Sequence, residues 1–145
     1  MQNQPIFKKK VDRLQEYISK LAPYVALDTD ELLKNEEKRA AMERWFQLMV
    51  DEAVDINAFL AYQIGGKVAD SYKSSFHELV SLSVFDGSFA EKIGDSAKVR
   101  NQMTHDYEKM QYAELIESMK KYFELYTEYV RIIVSKFLST ELSDS

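Results

Sequence analysis

The last third of the chain spaces its apolar residues so regularly that few folds are open to it. Tyr112, Ile116, Met119, Phe123, Tyr126, Val130, Ile133 and Phe137 follow one another at intervals of four and three. An α-helix takes about 3.6 residues per turn, so residues spaced this way share one face. Leu115, Tyr122 and Tyr129 widen the stripe. A face this wide suits a helix packed in a bundle, with room for a second subunit.

The same spacing recurs upstream. Phe7, Val11, Leu14, Ile18, Leu21 and Val25 form the apolar face of a first helix. Pro5 fits its first turn, where a missing N–H goes unused, and Pro23 is expected to disturb its end. A new helix starts at "LDTDEL", where Asp28 and Glu31 have capping-box spacing. It runs to about Ile64, with a candidate break near Asn35, and Gly65–Gly66 stops it. Met42, Phe46, Met49, Ala53, Ile56 and Leu60 supply its seam. Residues 65–75, "GGKVADSYKSS", read as a loop. A short helix follows over about 75–84, with Phe76, Leu79 and Val80 inward. "DGS" at 86–88 is a turn, and Ser88 with Glu91 has capping-box spacing for a further helix, weakened at Gly94. The polar tail from about residue 139 is expected to fray. The expectation is an all-α, antiparallel bundle of about five helices, forming one domain over residues 1–145. Long helices of this kind leave little concave surface on one copy, so a homodimer interface is the natural place for a cleft.

Composition narrows the chemistry. The chain has no cysteine and two histidines, which excludes disulfides, thiolate metal sites and cysteine nucleophiles and makes a histidine-rich zinc site unexpected. Phosphate-loop, dinucleotide-binding, zinc-protease and serine-hydrolase signatures are absent. The apolar runs are too short to span a bilayer, and "MQNQPIFKKK" lacks the layout of a signal peptide, so no membrane contact and a cytoplasmic location are expected. A formal charge of −5 argues against broad, non-specific nucleic-acid binding; any such contact must be local. The Lys8–Lys10 run reads as a solvated helix face, and His77 in "SSFHELV" as a surface or packing histidine.

The remaining candidate is "VRNQMTHDY", residues 99–107. Arg100 brings a planar, permanently charged fork suited to phosphate oxygens. His105 can take or give a proton near neutral pH. Together they suffice for metal-free cleavage of RNA, where the 2′-hydroxyl serves as an internal nucleophile. On one continuous helix, positions five apart are rotated by about 140°, so the pair converges only if the helix ends between them or if two chains share the site. Asn101 and His105, four apart, share a face. Taken alone, Arg-x4-His fits a basic helix C-terminus equally well. On the preceding helix, Glu52 and Asp55 interrupt the stripe Ala41, Trp45, Leu48, Phe59, Tyr62. They are candidates to hold Arg100 or to line the cleft, or they are a solvated edge.

"RNQMTHDY" resembles the R-x4-H-x-Y motif of HEPN domains, specifically the HepT-like toxin family. "RAAMERWFQLMVDEAVDINAFL" and "SYKSSFHELVSLSVFDGSFAEKI" are similar to that family's second helix and middle section, so the resemblance extends from about residue 5 to about residue 135. It implies an α-helical homodimer with its motifs facing across a cleft, acting as a metal-independent endoribonuclease toxin without a cofactor. The implied antitoxin is a minimal nucleotidyltransferase that silences the toxin by transferring AMP from ATP to the motif tyrosine. On this resemblance Arg100 and His105 are the catalytic pair, Asn101 is the supporting polar residue and Tyr107 is the AMP acceptor. The approach to the arginine, "GDSAKV", is more polar than the family's usual stretch. The rival readings are a non-catalytic HEPN module that binds nucleotide or a partner, and a purely structural dimeric bundle.

Overall fold

The structure, a computed structural model, describes residues 1–105 and 111–138, the side chains of Thr104 and His105 excepted. Seven helices and no strand occur among the described residues: α1 (Gln4–Val25), α2 (Thr29–Lys34), α3 (Glu36–Gly65), α4 (Tyr72–Ser81), α5 (Gly87–Gly94), α6 (Ser96–His105) and α7 (Tyr112–Phe137). The expected five become seven because both weak points are real breaks. Asn35 leaves helical geometry, and its side chain accepts the Lys38 N–H at 3.0 Å, which ends α2 and caps α3. Asp95 separates α5 from α6.

Helix starts differ from the expected ones in instructive ways. Asp28 caps α2 by position, but its side chain makes no capping hydrogen bond. α5 begins one residue before Ser88, because Asp86 accepts the Phe89 N–H at 2.8 Å and so takes the capping role. α4 begins within the stretch read as loop. Ser71 and Ser74 form a reciprocal capping box there, a serine standing where the usual pattern has Glu or Gln. Pro23 lies inside α1, which continues to Val25. Gly66, at φ 66°, turns the chain out of α3 in the left-handed region that glycine enters without strain.

The core forms along the apolar seams. Met42, Phe46, Met49, Ala53, Ile56 and Leu60 of α3 are fully buried, as are Phe7 and Leu21 of α1. α1 runs antiparallel to α3: Phe7 stacks on Phe59 at 5.8 Å, Arg13 pairs with Glu52, and Tyr17 meets Trp45. α7 also runs against α1, with Gln4 Nε2 donating to the Phe137 carbonyl at one end and Lys120 Nζ to the Leu27 carbonyl at the other. The α7 stripe is centred one row away from the expected line. Tyr122, Tyr126 and Tyr129 are buried, whereas Phe123, Val130 and Phe137 are half-buried.

Two buried polar chains tie the helices together. Tyr129 Oη donates to Asn57 Oδ1 at 2.6 Å, Asn57 Nδ2 donates to Ser75 Oγ at 3.0 Å, and Ser75 Oγ donates to the Tyr72 carbonyl at 2.7 Å. This sequence joins α7 to α3 and α3 to the first turn of α4. At the start of α6, Ser96 Oγ lies 2.7 Å from Tyr126 Oη and donates to the Ile93 carbonyl at 2.6 Å. Burial pushes the Tyr126 and Tyr129 hydroxyls well above the ordinary tyrosine range, so both remain neutral donors.

Candidate functional site

α6 forms despite its polar lead-in because it has enough to bury. Ala97, Val99 and Met103 face the core, and Ser96 is fully enclosed. Its other side carries Arg100, whose Nε and Nη2 donate to the two carboxylate oxygens of Asp51 on α3, at 2.8 and 3.2 Å. This is a two-point, fork-on-carboxylate contact, the geometry that fixes a guanidinium in orientation as well as position. Both side chains are partly exposed, at 22% for Arg100 and 31% for Asp51. Hydrogen bonding to Asp51 holds the Arg100 pKa above its usual value, so the charge is permanent. A guanidinium has five N–H donors, and two are used here. The Tyr72 ring covers the group, with Arg100 Cζ 5.5 Å from its centroid. Burial, and then the nearby Asp51 charge, raise the Tyr72 pKa.

Glu52 and Asp55, the candidates to hold Arg100, pair elsewhere. Glu52 pairs with Arg13 at 3.1 Å, and Asp55 pairs with Lys10, both partners coming from α1. One residue along α3 is a rotation of about 100°, enough to turn Asp51 toward α6 while Glu52 faces α1. Glu52 is also not a solvated residue: it is 6% exposed, and burial raises its pKa against the opposing pull of Arg13. Glu43, two turns before Asp51, is similarly enclosed, and its Oε1 has no hydrogen-bond partner among the described residues. Burial raises its pKa, with Arg39 opposing.

α6 is continuous from Ser96 to His105. The helix therefore does not end between positions 100 and 105, which stay about 140° apart around its axis. Asn101 is exposed on the same helix. Lys98, Val99 and Gln102 border a cavity of about 480 Å³, closed on the α7 side by residues that include Glu114 and Tyr122. Tyr107 lies outside the described residues, as does the polar tail. His77 agrees with its expected reading, its Nε2 lying 3.2 Å from Glu91 at the surface; of the Lys8–Lys10 run, Lys8 is solvated and pairs with Asp12 at 3.0 Å, whereas Lys10 is largely covered, pairing with Asp55 and lying over the Phe59 ring. Among the described residues, no group of three or more His, Asp or Glu side chains converges as a metal-ligand set, and no helix is long and apolar enough to cross a membrane.

Sequence reading missed Asp51 and Tyr72. Asp51 carried one usable signal, its position four residues before Asp55 on a helix already marked as acidic at one edge. Tyr72 carried none, because the composition of residues 65–75 is that of a loop.

Known proteins align with this chain over nearly its whole length. It is 23% identical over 136 residues to a tRNA nuclease HepT of Aphanizomenon flos-aquae, covering 94% of this chain and 92% of that one. Its fold superposes with a TM-score of 0.80 on the tri-AMPylated HEPN toxin of Shewanella oneidensis, solved in complex with an MNT antitoxin. That match has 15% identity and covers 94% of this chain and all of the other. A second solved toxin–antitoxin, with AMP-PNP, gives a TM-score of 0.81 at 14% identity, covering 92% of this chain and all of the other. These likenesses establish a HEPN-type all-α fold. Residues 14–133 match the family described as Ribonuclease HepT-like, a span that takes in the whole α3 seam and the motif helix, and the chain belongs to that family.

Proposed function

We propose that this protein is the toxin of a toxin–antitoxin pair, a metal-independent endoribonuclease whose site is assembled from Arg100 and His105 across a homodimer cleft. The observation that carries the reading is the state of Arg100. It is anchored at two points by Asp51, and among the described residues no acceptor takes its other N–H groups. Arg100 neutralises the phosphate and stabilises the charge that develops on its oxygens. His105 exchanges a proton with the ribose 2′-hydroxyl or the leaving oxygen, and Asn101 supports the imidazole from one turn away. The 2′-oxygen attacks phosphorus and the 5′-oxygen leaves, so the chemistry itself needs no metal. Because positions 100 and 105 lie on different sides of α6, each site takes its arginine from one copy and its histidine from the other. The similarity to a tRNA nuclease supports RNA as substrate and tRNA as the first class to try.

Silencing follows the same proposal. The Tyr107 hydroxyl attacks the α-phosphorus of ATP held by a partner nucleotidyltransferase, and pyrophosphate leaves. The attached AMP adds bulk and negative charge two residues from His105, which blocks the cleft and repels RNA. A structural likeness to a tri-AMPylated toxin held by an MNT antitoxin supports this regulation.

One experiment tests the composite site. Arg100→Ala and His105→Ala should each abolish cleavage of purified tRNA while light scattering still gives twice the 16.9 kDa chain mass. After equal mixing and subunit exchange, roughly a quarter of wild-type activity should return, because half the dimers then hold one complete site of two. A mixture that stays inactive would place both residues of each site in one copy. Full activity of either variant alone would remove the catalytic assignment.

A further inference from the structure

Tyr72 is an aromatic residue that burial does not explain. Its side chain is on the first turn of α4, it remains 36% exposed, and it covers Arg100 rather than joining the core. Its placement is nevertheless rigid. The chain Tyr129–Asn57–Ser75 ends on the Tyr72 carbonyl, and the Ser71–Ser74 box fixes the same turn. A flat, wettable ring is therefore held beside an arginine fork whose other donors no acceptor takes among the described residues.

The charge around this point sharpens the question. Three acids of α3, Asp51, Glu52 and Asp55, meet three cations, Arg100, Arg13 and Lys10. The local balance is close to neutral, and the whole chain carries −5. Phosphate attraction, which dominates binding in basic proteins, is weak here. A nucleic-acid strand needs another source of affinity, and base stacking on an aromatic ring is the source that works without net charge.

We propose that Tyr72 is a substrate-contact residue, its ring forming the stacking surface for a base of single-stranded RNA next to the phosphate held by Arg100. The proposal rests on the ribonuclease reading and adds the group that binds the base. Stacking accepts any base, so Tyr72 supplies affinity and strand register more than sequence choice. A contact made equally in the bound and reacting states alters KM and leaves kcat in place.

The test uses the full-length protein and a fluorescein-labelled, single-stranded 2′-O-methyl RNA of mixed sequence, which has no free 2′-hydroxyl and cannot be cleaved this way. Binding is measured by anisotropy for wild type, Tyr72→Phe, Tyr72→Trp, Tyr72→Leu and Tyr72→Ala, with tRNA cleavage run in parallel. Tyr72→Ala and Tyr72→Leu should each weaken binding by about tenfold and raise KM similarly, with kcat kept. The Phe and Trp variants should bind like wild type. Leucine keeps apolar bulk at this half-exposed site, so at least one ring-free variant folds, as thermal melting verifies. Wild-type affinity in Tyr72→Leu overturns the proposal. So does a Phe variant as weak as Ala, which assigns the effect to the hydroxyl facing Asp51. A wild type that cleaves tRNA while all variants bind equally sinks the stacking role alone. A wild type that binds the probe through Tyr72 but cleaves nothing sinks the nuclease reading and leaves the stacking surface standing. No binding and no cleavage overturns both.

Discussion

The two faces of α3 are built on opposite terms. On one, the seam residues from Met42 to Leu60 lose all contact with solvent. On the other, Asp51, Glu52 and Asp55 meet cations of α1 and α6 while keeping, to different degrees, access to water. The first face contributes free energy through apolar burial and tolerates little change. The second contributes little net stability, because its ion pairs, partly wet at Arg100–Asp51 and with one partner enclosed at Arg13–Glu52, offset their attraction with lost hydration and lost side-chain freedom. What it supplies is orientation. A stable bundle can be made from the first face alone, whereas an aimed arginine requires the second.

Substitutions should separate these roles. The largest loss of stability is expected for Phe46→Ala, about 3–5 kcal/mol in urea unfolding, from lost burial and the cavity left behind. Tyr129→Phe should cost about 1–3 kcal/mol, because it leaves the enclosed Asn57 oxygen without its donor. A loss as large as that of Phe46→Ala would show that polar anchoring rivals the seam.

Arg13→Ala tests the charged face through pH. Burial already raises the Glu52 pKa, and Arg13 counters the rise. Without Arg13 the folded-state pKa climbs further above the unfolded one, and stability then falls as pH rises between the two. The variant should be less stable than wild type by about 1 kcal/mol at pH 8. The deficit should shrink as pH falls toward the ordinary carboxylate range. An equal deficit at pH 8 and pH 4.5 would mean that Arg13 acts by packing alone. The smallest stability change is expected for Asp51→Asn, under about 1 kcal/mol, because this pair is partly wet. Yet tRNA cleavage should drop by about tenfold or more, since the fork loses its two-point anchor. Unchanged cleavage would reduce Asp51 to a surface partner.

The same division governs what the sequence makes legible. Apolar seams are readable because burial and helical period act together along one chain, so the α3 seam appears as written and the α7 stripe is off by only a row. Breaks at Asn35 and before Ser96 are readable because Asn and Gly signal local backbone preferences. The partner of Arg100 is not readable, since Asp51, Glu52 and Asp55 are chemically alike and the choice depends on how α1 and α6 lie against α3. The α4 start escaped because Ser74 replaces the expected Glu or Gln, and Tyr72 escaped with it. Asp86 outcompetes Ser88 because its carboxylate caps the helix two positions earlier, accepting the Phe89 N–H. The motif itself could be located, but the separation of positions 100 and 105 became definite only once α6 was seen to run unbroken.

The unbroken α6 has a consequence for dosage. On the two-copy reading, a single chain is half an enzyme, and active sites appear only as pairs form. At abundances below the pairing constant, output then scales with the square of supply, so halving the chains cuts activity about fourfold. On that reading a trickle of newly made or leftover chains is nearly inert, while a surge is disproportionately potent, and the threshold lies in the angle between two positions on one helix.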